Sequence, residues 1–149
     1  MKRILVAAVV GLCVVPSQAA AWRVPLPAAP IEWHIGQQCP GAVEAGCAWR
    51  DGDHAVIYVA AGWITNQIAW HELGHAFDYF NMTDARRDAW RSIMHDPRPW
   101  RTSPNSPHEQ FAESYMACAL GQRRSLSYGY LYAPTRAQFG QVCALIRSA

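Results

Sequence analysis

Hydrophobic and polar positions change their spacing along the chain, and each change marks a new kind of element. Residues 54–59, His-Ala-Val-Ile-Tyr-Val, are rich in β-branched and aromatic side chains. They follow Ala48-Trp49-Arg50 and the turn signal Asp51-Gly52-Asp53, a combination that predicts a β-hairpin. Residues 32–35 read as a further short strand, and residues 22–30, with three prolines, as an extended lead-in. From Trp63 the period becomes helical. Ile64, Ile68, His71, Leu73, Ala76, Phe77 and Phe80 recur at mostly three- and four-residue steps, which predicts one helix reaching about Phe80.

Thr83 is placed to cap a second helix carrying Ala89, Trp90, Ile93 and Met94, and Pro97 and Pro99 stop it. Four prolines between Asp96 and Pro107 predict an irregular loop. Ser106-Pro107-His108-Glu109 then reads as a helix start, with Ser106 as cap and Glu109 at the capping-box position, for a helix ending near Leu120. Phe139, Val142, Cys143 and Ile146 define a C-terminal amphipathic helix. A small N-terminal sheet followed by helices makes an α+β domain the expected fold class.

The chain has 149 residues, 51% of them hydrophobic, which suffices for one core and is too short for two ordinary domains. Lys2 and Arg3 precede an apolar run of twelve residues, 4–15, and small residues close to Ala21. That order predicts a signal peptide over residues 1–21, cleaved to leave a single domain of residues 22–149 with no stable membrane anchor. A secreted protein, extracellular or periplasmic, is the expectation. Removing Lys2 and Arg3 leaves 11 basic and 11 acidic side chains, so no cationic excess points to nucleic acid. Nothing in the pattern calls for an oligomer, and a monomer is expected.

Four cysteines remain outside the leader, an even number that predicts two disulfides in an exported protein. Cys39 and Cys47 flank a short loop containing Pro and Gly, while Cys118 and Cys143 fall on two expected helices, which favours those pairings. A cysteine-bound metal lacks the C-x-x-C spacing it would need.

The segment that carries chemistry is His71-Glu72-Leu73-Gly74-His75, an H-E-x-x-H on the first expected helix. Residues four apart differ by about 40° of rotation after one full turn, so both imidazoles leave the same face and can share one metal ion. Glu72 lies on the neighbouring stripe, where it can reach a water rather than the metal, as a general base must. A chain of this composition carries the pattern by accident with a probability on the order of 1%. A catalytic zinc needs a third protein ligand. The metzincin extension is excluded, because Asp78 and Asn81 stand where it requires Gly and His. Downstream, Glu109 and Glu113 form an E-x-x-x-E pair on a later helix.

His71 to Asp78, followed by Glu109-Gln110-Phe111-Ala112-Glu113-Ser114-Tyr115, resembles the gluzincin metallopeptidases, and among them the lethal-factor-like catalytic domains. The resemblance covers two short blocks. It implies a small zincin-like domain with an active-site helix, a Glu-ligand helix and a C-terminal helix. It further implies one Zn²⁺ held by His71, His75 and Glu109, with Glu72 as general base for hydrolysis of a protein or peptide substrate. Glu113 would orient His71 from behind, in keeping with the carboxylate partners of metal-bound histidines; Asp78 is a second candidate for that task. The capping box is a competing explanation of Glu109, and would leave Glu113, then His108 or His95, as third ligand. His34 and His54 read as ordinary strand residues.

Lethal-factor-like domains place a tyrosine shortly before the Glu-ligand helix to stabilise the oxyanion, whereas this loop has Trp100, Arg101 and Thr102. That role stays open among Arg101, His108, Tyr115, Tyr128, Tyr130 and Tyr132. The strand near residues 56–59, just before the zinc helix, is expected to offer an edge along which an extended peptide could pair. The alternative from another class is a secreted, non-catalytic binding or structural module on a zincin scaffold.

Overall fold

The computed structural model describes residues 24–101, 105–123 and 131–149. Within them the fold is α+β, in the order β1 (Ile31–Ile35), β2 (Gly46–Asp51), β3 (His54–Val59), α1 (Asn66–Asn81), α2 (Asp84–Met94), α3 (Pro107–Leu120) and α4 (Arg136–Arg147). The expected signal segment, residues 1–21, lies outside the described residues, as do Thr102, Tyr128 and Tyr130. No described helix is long and apolar enough to cross a membrane.

The β2–β3 hairpin forms as expected. Its two strands pair antiparallel from Gly46 opposite Val59 to Asp51 opposite His54, and Gly52 takes the positive φ of 59° that the tight turn requires. β1 then adds in parallel to the other side of β3, giving the order β1-β3-β2. This corrects the expectation about the substrate edge: β3 is the central strand, with both sides paired, so residues 56–59 have no free edge. The apolar run of β3 reflects its central place. Ala55, Ile57 and Val59 point into the core, and Val56 is buried on the other face.

The first helix also begins later than its apolar period implied. Ala61–Trp63 make a 3-10 turn, and the Thr65 hydroxyl accepts the Ile68 N–H at 3.2 Å to cap α1 at Asn66. Trp63 and Ile64 therefore stay outside the helix and in solvent. Thr83 caps α2 as expected, and Thr135 makes a full capping box with Gln138 at the start of α4.

α1 and α3 are the central pair of the helical layer, with α1 covering the sheet and α3 buried behind it. Phe77, Trp90, Phe111 and Tyr115 fill the space between α1, α2 and α3, and Trp90 donates its indole N–H to Ser114 Oγ at 3.1 Å. Cys118–Cys143 ties α3 to α4, and Cys39–Cys47 closes the loop before β2. Both pairings match the expectation, and two disulfides point to an oxidising environment.

The α1–α3 crossing is closest at Gly74. A Cβ there would stand 2.8 Å from Ala112 Cα and 3.0 Å from its carbonyl oxygen, so only hydrogen fits. Gly140, on the exposed face of α4, has nothing within 4 Å of the same position. One substitution should therefore act with opposite signs. Gly74→Ala is expected to lose about 1–3 kcal/mol of stability to overpacking, while Gly140→Ala gains about 0.5–1 kcal/mol from helix propensity. Urea unfolding of the two variants beside the wild type checks both; a stabilising Gly74→Ala would show that the helices are not in backbone contact.

Candidate metal centre

His71 and His75 are one turn apart on the α1 face that meets α3, and both are buried. Their Nε2 atoms stand 3.1 Å apart, with the rings nearly perpendicular at 82°. Glu109, in the first turn of α3, brings Oε2 to 3.5 Å from His71 Nε2 and 3.3 Å from His75 Nε2. These three side chains are the group among the described residues whose donor atoms converge closely enough to hold a metal ion. Two imidazole nitrogens and a carboxylate oxygen make a donor set that suits a divalent transition metal.

Glu109 reaches this position by giving up the cap. Ser106 makes no side-chain capping bond, and the Glu109 carboxylate turns to the histidines instead of back to the helix start. Pro107 opens the helix without needing a donor, as its place in the sequence implied.

Glu113, one turn further along α3 and wholly buried, stands 2.9 Å from His71 Nδ1. An N–H there donates to the carboxylate and leaves the Nε2 lone pair turned toward the donor group. Burial opposes charge on both histidines. On His71 the Glu109 and Glu113 carboxylates outweigh it and hold the pKa well above the ordinary value. On His75 burial prevails and the pKa falls. Burial likewise opposes ionisation of Glu109, but its hydrogen bonds with His71 and His75 hold it below the usual carboxylate range.

Glu72 follows His71 and is 4% exposed. Its Oε2 has no hydrogen-bond partner among the described residues. The carboxylate lies against Gly46 of β2, where a Cβ would come within 2.6 Å of Oε1. Burial pushes the Glu72 pKa up to about 7; His71 opposes the rise, and Glu109 and Glu44 add to it. Glu72, His71, His75 and Glu109 line one cleft of about 760 Å³, together with the stretch from Glu44 to Ala48, Trp63, Ile68, Tyr79 and His108.

Asp78 does not orient either ligand candidate, which corrects the sequence-based expectation. It lies seven residues beyond His71, about 10 Å along the axis, and is fully buried in a different network. Its carboxylate accepts from Arg87 Nε at 2.8 Å, His108 Nδ1 at 2.9 Å, Trp100 Nε1 at 3.1 Å and Arg101 Nη2 at 3.3 Å. Asp78 thereby fixes His108, whose ring packs 4.3 Å from that of His75 between centroids.

Of the other histidines, His95 is the left-handed residue ending α2, and His34 stacks on Tyr58 in the sheet. His54 also lies on the sheet, at the start of β3. Among the candidates for the oxyanion role, Tyr115 donates to Pro25 O at 2.6 Å, Tyr132 is buried, and Arg101 is tied to Asp78. His108 lines the cleft.

Comparison with protein-family models, with curated proteins and with solved structures finds no match. The geometry itself must carry the functional conclusion. Among the cleft residues that escaped the sequence reading are Glu44, Gly46 and Tyr79, whose hydroxyl donates to Ala48 O at 3.1 Å. Tyr79 had a signal, since it continues the His71, His75 stripe by one more turn.

Metal analysis should find one divalent ion per chain in the wild type and none after His71→Ala. Glu113→Ala, which keeps all three donors, should weaken binding about 10- to 100-fold. Equal affinity for wild type and Glu113→Ala in competition with a chelator would contradict the orienting role. Asp78 gives a stability prediction. Burial opposes its ionisation, yet the bonds from His108, Arg87 and Trp100 hold its pKa down to about 2 from 3.8. A depressed acid stabilises the fold above its unfolded value and loses that contribution as pH falls toward its folded one. Between pH 4 and 2 the wild type should therefore lose about 2 kcal/mol that Asp78→Asn does not, measured by urea unfolding across that range.

Proposed function

We propose that this chain is a secreted zinc-dependent metallopeptidase with a zincin-like catalytic domain. The observation that carries this reading is the pairing of a convergent His71, His75, Glu109 donor set with an unpartnered, buried Glu72 carboxylate facing the same cleft. A metal that served structure alone would have no use for that carboxylate, whose burial without a hydrogen bond is costly. Two imidazoles and one carboxylate with a position left for water are the ligand pattern of catalytic zinc.

When bound, zinc would supply Lewis-acid polarisation of the substrate carbonyl and lower the pKa of a water in its coordination sphere. The remaining work falls to the chain's own groups. Glu72 accepts the proton of the attacking water at its carboxylate, and the same group returns it to the leaving amine. A carboxylate lifted toward neutrality, to about 7, is suited to both directions of transfer. Glu113 holds the His71 tautomer, and Gly74 lets α3 approach closely enough for Glu109 to meet the histidines.

β2 replaces β3 as the strand that can receive substrate. Among the described residues it pairs with a neighbour on one side alone, and its first half, with Glu44 and Ala45 before it, forms one wall of the cleft. An extended peptide lying along that edge would pass its backbone beside Glu72. The two disulfides accord with export.

Glu72→Gln separates this function from a non-catalytic metal-bearing module. The variant should keep its zinc and lose about 10²- to 10⁴-fold in kcat on a quenched peptide library. Equal hydrolysis by wild type and variant would remove Glu72 from the chemistry.

A further inference from the structure

We propose that Glu44 is a specificity-determining residue that holds a cationic group of the bound peptide, an ammonium or guanidinium, beside the scissile bond. This rests on the metallopeptidase reading of the cleft.

Glu44 stands two residues before Gly46, which touches the Glu72 carboxylate. At the rise of an extended chain that separation is at most about 7 Å. It lines the same cleft as the donor group, and its charge is among those acting on Glu72. Among the described residues Glu44 forms no ion pair or hydrogen bond, and its side chain is exposed.

Among the described residues no arginine or lysine lines the cleft. The nearby guanidinium groups are committed elsewhere: Arg87 and Arg101 to Asp78, and Arg50 to Gly52 O, with its guanidinium 4.7 Å from the Phe80 ring centroid. Glu44, Glu72 and Glu109 bring three carboxylates to the cleft, and Glu44 is the one of them that is open to solvent and lies outside the His71, His75, Glu109 donor group. A cationic substrate group is the complement that balances it.

The surrounding wall fits a long basic side chain. Trp63, 58% exposed, and Ile68 line the same cleft. An aromatic face and an aliphatic neighbour suit the stem of Lys or Arg, while the carboxylate meets its charged end. A free peptide N-terminus offers the same charge without the stem.

The test uses the zinc-loaded full-length chain and two sets of fluorogenic peptides of equal length. One set is end-blocked, with Arg, Lys, Gln or Glu at each position; the other has a free amine and no basic side chain. Wild type should favour cationic peptides about fivefold or more in kcat/KM, less so at high salt. Glu44→Gln should flatten the ratio of cationic to neutral substrates, and Glu44→Lys should invert it toward acidic peptides, both with unchanged zinc content. Equilibrium binding of the same peptides to Glu72→Gln and to Glu44→Gln/Glu72→Gln gives a readout independent of turnover. There, too, the preference should vanish with Glu44.

A preference confined to free-amine peptides, or one carried by end-blocked Arg and Lys peptides, supports the proposal and names the source of the charge. Hydrolysis with no charge preference, or the same preference in Glu44→Gln, overturns it and leaves the peptidase reading standing. No hydrolysis of any peptide, with Glu44-dependent cationic binding retained, overturns the peptidase reading instead.

Discussion

The site depends on how closely two helices can approach. Glu109 and Glu113 are on α3, His71 and His75 on α1, and the carboxylates are in reach because the helices meet with Gly74 against the backbone of Ala112. A glycine in the middle of a 16-residue helix costs on the order of 1 kcal/mol relative to alanine. Here the missing side chain is what lets α3 deliver one carboxylate to the Nε2 side of His71 and another to its Nδ1 side. The Trp90–Ser114 bond holds the middle of α3 and the Cys118–Cys143 bridge its C-terminal end. Packing and chemistry thus share one contact surface.

Four buried or partly buried carboxylates surround that surface, and their environments separate their tasks. Glu109 and Glu113 face His71, which keeps Glu109 ionised in spite of burial. Asp78 is fully buried yet ionised, because two arginines, an indole and an imidazole surround it. Glu72 has a raised pKa and a buried Oε2 that no described residue hydrogen-bonds. A buried carboxylate without a partner opposes folding, and its place in a cleft beside three convergent donors is the observation on which the proposed chemistry rests.

Much of this was legible in the sequence because it follows from local periodicity. The i, i+4 spacing places His71 and His75 on one face whatever the tertiary structure, and the hairpin turn and the Thr83 cap are equally local. The two disulfides also followed from short loops and helix positions. What failed depended on distant partners. Asp78 looks like a neighbour of the ligand helix face, but its fate is set by Arg87, Trp100 and His108, which only the fold brings together. Glu109 matched a capping box by its own spacing, and lost that role to histidines more than thirty residues earlier. β3 was expected at an edge because nothing in its neighbourhood reveals that β1 returns to pair with it in parallel. Glu44 and Gly46 carry no motif at all, and acquire meaning from the helix that β2 lies against.

The central claim is that His71, His75 and Glu109 bind one metal ion together. X-ray absorption at the zinc edge of the loaded protein tests it most directly. The account predicts two imidazole nitrogens and light oxygen donors in a four- or five-coordinate shell, with no sulfur. Sulfur in the first shell, or scattering from a single imidazole, would contradict it.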